Sequence, residues 1–377
     1  MILAGGGTAG HINPALAVAD ILRGKGAEIL FVGTERGLEA DLVPRAGYKL
    51  ETIKAAPFPR RLSWRQAAAI YAAMSGWRQA FGIIRRFRPH VVVGTGGYVA
   101  GPVVLAAVLL RIPTLIHEQN AWPGGANRLL ARWVDRVALG YEEAGRYLRV
   151  KDKPVHTGNP VRSEVLAASR TEAVRKLGLR PDRLTVVIMG GSRGAASINK
   201  AVWSARERLR NEARLQVIHQ TGAAGFNEVR GRYASIGIHP TEEGTITDGP
   251  MRVVPYLYDM PAVLAAADVV VSRAGALSLA EITARGLPSI LVPYPYAAGD
   301  HQTFNARTLV AAGAAYMIND HELTGERLWA ALWPLIEDPD RRKKMAAAAK
   351  ALARPAAAET LAELIVDLGK KARRNDP

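Results

Sequence analysis

The sequence predicts an α/β fold in two halves, each a parallel sheet covered by helices. Three observations carry this. Short apolar runs that fit buried strands alternate with helical stretches along the chain. Glycine-rich turns follow three of those runs: Gly5-Gly6-Gly7-Thr8-Ala9-Gly10-His11, Gly94-Thr95-Gly96-Gly97-Tyr98 and Gly190-Gly191-Ser192-Arg193-Gly194-Ala195. The 377 residues suit two domains of ordinary size, and 49% hydrophobic content can fill a core in each. Each turn reads as strand, glycine turn, helix start. Such a turn lets backbone N–H groups approach a ligand, and the helix end behind it adds partial positive charge. Two ligand-binding domains facing each other are expected, one of them holding a phosphate.

In chain order, a first strand at Met1–Gly5 is followed by a helix from about Pro14 to Arg23 and a strand at Ile29–Gly33. A helix ends at Pro89-His90 and a strand opens at Val91. A helix spans Pro102–Leu110, then a strand Ile112–His117. Short strands follow at Val134–Leu139 and Pro154–Thr157. Alternation of this kind implies a parallel sheet with right-handed crossovers. Gly158-Asn159-Pro160-Val161-Arg162 reads as a hinge before a helix near Ser163. A second series has strands at Leu184–Met189, Leu215–Gln220, Met251–Pro255, Val269–Ser272 and Ser289–Pro293. Its helices include Asp259–Ala266, Ala276–Arg285 and Thr303–Ala312. A last helix at Ala356–Lys371 crosses back to the first half, and Arg373-Arg374-Asn375-Asp376-Pro377 reads as a frayed tail.

Composition excludes several classes. There is no cysteine, hence no disulfide, thiolate metal site or cysteine nucleophile. The first residues lack the basic and long apolar regions of a signal peptide. Val91–Leu110 carries no charge and is long enough for a bilayer. Gly94, Gly96, Gly97, Gly101 and Pro102 break it, so strand, turn and buried helix fit better. The net charge is +16. From Thr52 to His117 there is no Asp or Glu, against nine basic residues: Lys54, Arg60, Arg61, Arg65, Arg78, Arg85, Arg86, Arg88 and Arg111. A one-signed field of this kind attracts lipid headgroups or nucleic acid; solvated arginines are the plainer alternative. Within it, Trp64, Tyr71, Met74, Trp77, Phe81 and Ile84 recur at helical spacing. Either they face an anionic membrane beside Arg65, Arg78, Arg85 and Arg86, or they are core.

Gly5-x-Gly7-x-x-Gly10 matches the dinucleotide fingerprint, with Glu35 placed as a ribose acid. His11 and Asn13-Pro14 directly after it do not suit a nicotinamide site. Pro14 fits a first helical turn. His11 is either a general base for a sugar hydroxyl or a histidine that shapes its loop. His117-Glu118-Gln119-Asn120 puts four polar side chains at one strand exit. Asp268–Glu281 runs from a buried strand through a tight turn into a helix. There the N–H groups of Ala276 and Leu277 face an anion, and Glu281 lies about one turn in. Gly299-Asp300-His301-Gln302-Thr303 repeats the pattern after the next strand. No histidine pair has metal-ligand spacing, so no metal is expected.

Taken in order, Gly5–Pro14, Gly94–Pro102, His117–Asn120, Gly158–Arg162, Gly190–Ala195, Ser272–Glu281 and Asp300–Gln302 resemble the MurG family of peripheral membrane glycosyltransferases of peptidoglycan synthesis. The resemblance covers nearly the whole chain. It implies a GT-B architecture: two Rossmann-like parallel-sheet domains with a cleft between them. Residues 1–162 plus about 352–377 would form the acceptor and membrane-facing domain, and 163–351 the UDP-sugar domain. It implies an inverting transfer of N-acetylglucosamine from UDP-GlcNAc to the C4 hydroxyl of lipid I, undecaprenyl-pyrophosphoryl-MurNAc-pentapeptide, giving lipid II. The implied place is the cytoplasmic face of the bacterial inner membrane, on its anionic surface.

By the same resemblance, Arg162 and Ser192 contact uridine or phosphates, and Leu257 lies against uracil. Ala276, Leu277, Ser278, Leu279, Ala280 and Glu281 frame the diphosphate and ribose, and Gln302 contacts the sugar. Thr8, Ala9, Gly10 and Asn120 reach the donor from the first domain; His11, Tyr98 and His117 lie near the acceptor. Trp64, Trp77, Phe81, Arg85 and Arg86 are the membrane contacts. Ala9 departs from the family, which usually has glycine there, and Trp122 reshapes the rim beside Asn120. Helix ends at Ser192 and Ala276 can stabilise departing UDP without a metal, and no cofactor is called for. Alternatives are a UDP-sugar transferase of the same architecture acting on another lipid, and a non-hydrolysing UDP-GlcNAc epimerase. A nucleic-acid partner is not expected, since no stacking strand or recognition helix is evident.

Overall fold

The computed structural model describes residues 1–56, 64–191 and 193–375, apart from the side chains of residues 9, 64–70 and 372–375. Its contacts divide the chain into two compact units. One is Met1–Val161 with the stretch from Arg354 onward; the other is Arg162–Ala353.

The first unit is built on β1 (Ile2–Gly5), β2 (Leu30–Gly33), β3 (Lys49–Thr52), β4 (Val92–Gly96), β5 (Thr114–Glu118), β6 (Arg136–Leu139) and β7 (Val155–His156). Their order is β3-β2-β1-β4-β5-β6-β7, all parallel. β1, β2, β4 and β5 are buried along their whole length, as strands covered on both faces must be. One face packs Leu3, Phe31, Val93 and Leu115 against the helix Ala9–Gly24 and the last helix, through Leu361 and Ile365. The other packs Ile2, Val32 and Val92 against the helices Trp64–Phe87 and Gly97–Leu109. Each such fully buried side chain contributes about 1.5–3 kcal/mol.

The second unit repeats the plan with β8 (Leu184–Met189), β9 (Leu215–Gln220), β10 (Ile246–Asp248), β11 (Met251–Val254), β12 (Val269–Ser272), β13 (Ser289–Leu291) and β14 (Ala315–Met317). The order is β10-β11-β9-β8-β12-β13-β14, with only β10 antiparallel among the described strands. Strand order therefore reverses at β1/β4 in one unit and at β8/β12 in the other. Open α/β sheets bind ligands at that switch point, outside the carboxyl ends of the strands. The three glycine turns, and the turn Arg273–Gly275, leave from these four strands.

Several expected boundaries move. The first helix begins at Ala9, so Thr8 is its N-cap and His11 lies in its first turn. Pro14 is inside that helix, not at its start, and cannot bond to the Gly10 carbonyl. The second glycine turn is shorter than expected: the strand runs through Gly96, and the helix begins at Gly97, ahead of Pro102. The helix after the third turn begins at Ala196. Ser192, expected to contact the donor, lies outside the described residues. The last helix runs to Asn375 and absorbs most of the expected tail. Strands β3 and β10 carry one apolar residue each, and β14 is only three residues long, too little pattern to announce a strand. Among the described residues no helix is long and apolar enough to cross a membrane.

Candidate active site

The exits of β1, β4 and β5 hold the polar residues of the first unit. Thr95, near the end of β4, donates its hydroxyl to the His11 carbonyl at 2.7 Å and ties the first helical turn to the sheet. Nδ1 of His11 lies 3.1 Å from the Thr95 carbonyl and 3.3 Å from Oε1 of Gln119. Both partners are acceptors, which favours hydrogen on Nδ1. Tyr98, in the first turn of the next helix, lies over Gly7: a Cβ there would sit 2.9 Å from its ring. His11 and Tyr98 thus share this end of the sheet with Thr8 and Gly10. Ala9 takes the first helical position, and its side chain is outside the described residues.

His117 is different. It is fully buried, and its Nε2 donates to the Gly158 carbonyl at 3.2 Å. Its Nδ1 lies 3.2 Å from the Gln119 amide nitrogen. Burial pushes its pKa down to about 4, so the ring is neutral. The side chain is enclosed in this way and presents no surface to a ligand in this structure. Glu118 is also turned inward. It accepts from the Asn120 and Gly124 N–H groups, both at 2.9 Å, and from Nδ2 of Asn127 at 2.8 Å. It shapes the loop that carries Asn120.

Glu35 is exposed at the exit of β2 and does not engage the first glycine turn. The carboxylate that does is Glu39, 1% exposed, which sequence reasoning missed. Its Oε2 accepts the Gly7 N–H at 3.0 Å, and its Oε1 accepts from the Thr34 N–H and hydroxyl at 2.9 and 2.7 Å. A negative group beneath the turn disfavours a phosphate there. The one available signal was an acid at the start of the helix Glu39–Arg45.

In the second unit, the helix Ala276–Ala284 starts without a side-chain cap. Its first N–H groups have no intrahelical acceptor, and such a helix start favours negative charge. The peptide just before it is clamped: the Ala274 N–H donates to Oε1 of Gln302 at 3.1 Å, and Nδ2 of buried Asn305 donates to its carbonyl at 3.2 Å. Oε1 of Gln302 also accepts the Tyr294 N–H at 2.9 Å, which orients the amide and leaves Nε2 as its donor. Arg273 braces the same exits, donating to the Val292 and Pro293 carbonyls and pairing with Asp320.

Glu281 accepts Nε of Arg162 on Oε1 at 2.9 Å, and the second guanidinium contact, also at 2.9 Å, falls on the same oxygen. Burial raises the carboxyl's pKa and the neighbouring guanidinium opposes the rise. Leu257 is half-buried in the loop after β11, and Ser278 and Ala280 are half-buried on the helix. Leu279 is fully buried in the core, so it offers a ligand only its backbone.

The basic helix Trp64–Phe87 turns Tyr71 and Met74 outward, 69% and 59% exposed. Trp77 and Phe81 are half-buried and pack on one side against the core with Ile83 and Ile84. Arg85 stacks over the Phe81 ring at 4.5 Å, and Arg86 pairs with Glu51. The Trp64 side chain is outside the described residues.

Comparison with known proteins agrees with this geometry. Residues 1–139 match the glycosyltransferase family 28 N-terminal domain and residues 185–361 the family's C-terminal domain. The chain belongs to glycosyltransferase family 28. Within the family it is 46% identical, over 98% of its length and 99% of the relative's, to a UDP-N-acetylglucosamine–N-acetylmuramyl-(pentapeptide) pyrophosphoryl-undecaprenol N-acetylglucosamine transferase of Halothermothrix orenii. A protein of the same name from Desulforudis audaxviator is 45% identical over 99% of this chain and 100% of that one. The crystal structure of Acinetobacter baumannii MurG superposes with a TM-score of 0.77 at 30% identity, covering 97% of this chain and 99% of that one. The transferase therefore has the GT-B architecture of its family, with a Rossmann-like parallel sheet in each unit.

Proposed function

We propose that this transferase moves N-acetylglucosamine from UDP-GlcNAc to the C4 hydroxyl of the muramyl sugar of lipid I, with inversion, giving lipid II. The relatives' shared name, which states transfer to an N-acetylmuramyl-(pentapeptide) pyrophosphoryl-undecaprenol, supports the acceptor. One geometric observation carries the donor assignment. An uncapped helix start at Ala276, the Glu281 carboxylate and the oriented Gln302 amide converge at the exits of β12 and β13.

In this reading the Ala276 and Leu277 N–H groups take up negative charge as UDP departs. Oε2 of Glu281 accepts from ribose, while Oε1 remains with Arg162. Nε2 of Gln302 donates to the sugar. Nε2 of His11 takes the proton from the C4 hydroxyl as that oxygen attacks the anomeric carbon. Tyr98 and Asn120 help to hold the substrates, and His117 acts only through its neighbours.

The first unit meets the anionic inner surface of the membrane, with the protein peripheral on the cytoplasmic side. Tyr71, Met74, Leu109, Leu129 and Trp133 are exposed apolar residues on helices and turns of that unit. Arg78, Arg85, Arg111, Arg128 and Arg132 are exposed beside them in sequence. An apolar surface rimmed by arginine suits an interface of lipid tails and anionic headgroups.

The test is UDP release from UDP-GlcNAc with and without a lipid I analogue. Release that depends on the analogue is expected. Equal release without it, or release with a diacylglycerol acceptor only, overturns the assignment.

A further inference from the structure

We propose that Gln119 is a positioning residue for the reaction: oriented by buried His117, it holds His11 with the proton on Nδ1 and the basic lone pair on Nε2. This rests on reading His11 as the base.

The orientation can be followed atom by atom. A backbone carbonyl only accepts, so Nε2 of His117, 3.2 Å from the Gly158 oxygen, carries hydrogen. The ring is fully buried and neutral, so its Nδ1 presents a lone pair. The Gln119 side-chain atom 3.2 Å from that lone pair must be a donor, which makes it the amide nitrogen. The same NH2 group donates to the Thr95 carbonyl at 2.7 Å, a second contact that the amide oxygen could not make. The oxygen is left on the opposite side, 3.3 Å from Nδ1 of His11. With the Thr95 carbonyl at 3.1 Å, that nitrogen faces two acceptors. Reversing the amide would set NH2 against Nδ1, favour hydrogen on Nε2 and remove the lone pair that takes the hydroxyl proton.

The backbone at Gly96 lies close against this pair. A Cβ at Gly96 would fall 2.7 Å from Nδ1 of His11 and 3.5 Å from Oε1 of Gln119, at a φ of +103° that side chains rarely adopt. Gln119 is 2% exposed, so it acts on the substrate only through His11.

The test is the tautomer, read by two-bond proton–nitrogen correlation in the full chain labelled with ¹⁵N-histidine. The unmodified protein at neutral pH should show His11 with hydrogen on Nδ1 and His117 with hydrogen on Nε2. In Gln119→Met, His11 should become a mixture of tautomers. Its kcat should fall at least about tenfold, with KM for UDP-GlcNAc within about twofold. Hydrogen on Nε2 of His11 in the unmodified protein overturns the proposal, and that measurement needs no variant to fold. So does a Gln119→Met protein whose His11 stays wholly in the Nδ1–H form. If the tautomer responds as expected while His11→Ala turns over normally, the base reading falls and the orienting of His11 by Gln119 stands.

Discussion

The first glycine turn, at the exit of β1, and the helix start at Ala276, after β12, both leave strands at the point where the order of their sheet reverses. Their charge environments differ. Beneath the first turn sits the Glu39 carboxylate, which takes the Gly7 N–H at 3.0 Å. That amide is committed, and the local charge repels an anion. At Ala276 the helix start has no side-chain cap, and the nearby acid, Glu281, is paired with Arg162. In the proposed reading, one motif serves an uncharged hydroxyl and its base, and the other a leaving diphosphate. Glycine after a strand identifies a place for a ligand; the charge set beneath it decides which ligand.

The hardest test of that division is His11→Ala. Turnover should fall at least about a hundredfold, the scale of general-base catalysis, while calorimetry finds UDP-GlcNAc affinity largely intact. Near-normal turnover removes His11 from the role, and a matching loss of donor affinity places the donor on the wrong turn. Next is Glu281→Ala, which should weaken UDP binding by about 1–3 kcal/mol through loss of a charge-assisted hydrogen bond. Unchanged affinity refutes the ribose contact.

Glu39→Gln sharpens the contrast. An amide cannot accept from both the Gly7 and Thr34 N–H groups as the carboxylate does, so urea unfolding should show a loss of about 1–3 kcal/mol. UDP affinity should not change. If Glu39→Gln altered UDP binding and Glu281→Ala did not, the two turns would have to exchange roles. The smallest effect on the fold is expected from Tyr71→Asp with Met74→Asp. Both side chains are exposed, so stability should shift by no more than about 0.5 kcal/mol each, while sedimentation with anionic vesicles is lost. Retained sedimentation moves the membrane contact off this helix. Trp77→Asp, at a core-packed site, should unfold the first unit instead.

Local pattern made much of this legible. The strand, turn and helix at Gly5, the polar run His117–Asn120 at a strand exit and the helix start at Ala276 were all evident from neighbours in sequence; that His117, Glu118 and Gln119 turn inward was not. The misplaced boundaries have local causes too. Pro14 and Pro102 are both inside helices whose first turns contain glycine, a combination that reads as a loop. The stripe Trp77–Phe81 was ambiguous because a membrane-facing and a core-facing helix share one periodicity.

By itself, then, the sequence determined the elements, the alternation that makes parallel sheets and the turns where ligands gather, because these follow from residues within a helical turn or a strand's length of one another. Tertiary structure decided that β1 lies beside β4, and β8 beside β12, which brings the turns to the switch points. It also decided that Gln119 faces His11 across 108 positions and that Arg162 reaches Glu281 across 119. Hydrogen-bond direction and charge pairing act over about 3 Å of space, and nothing in the order of residues says which distant groups the folded chain will bring that close.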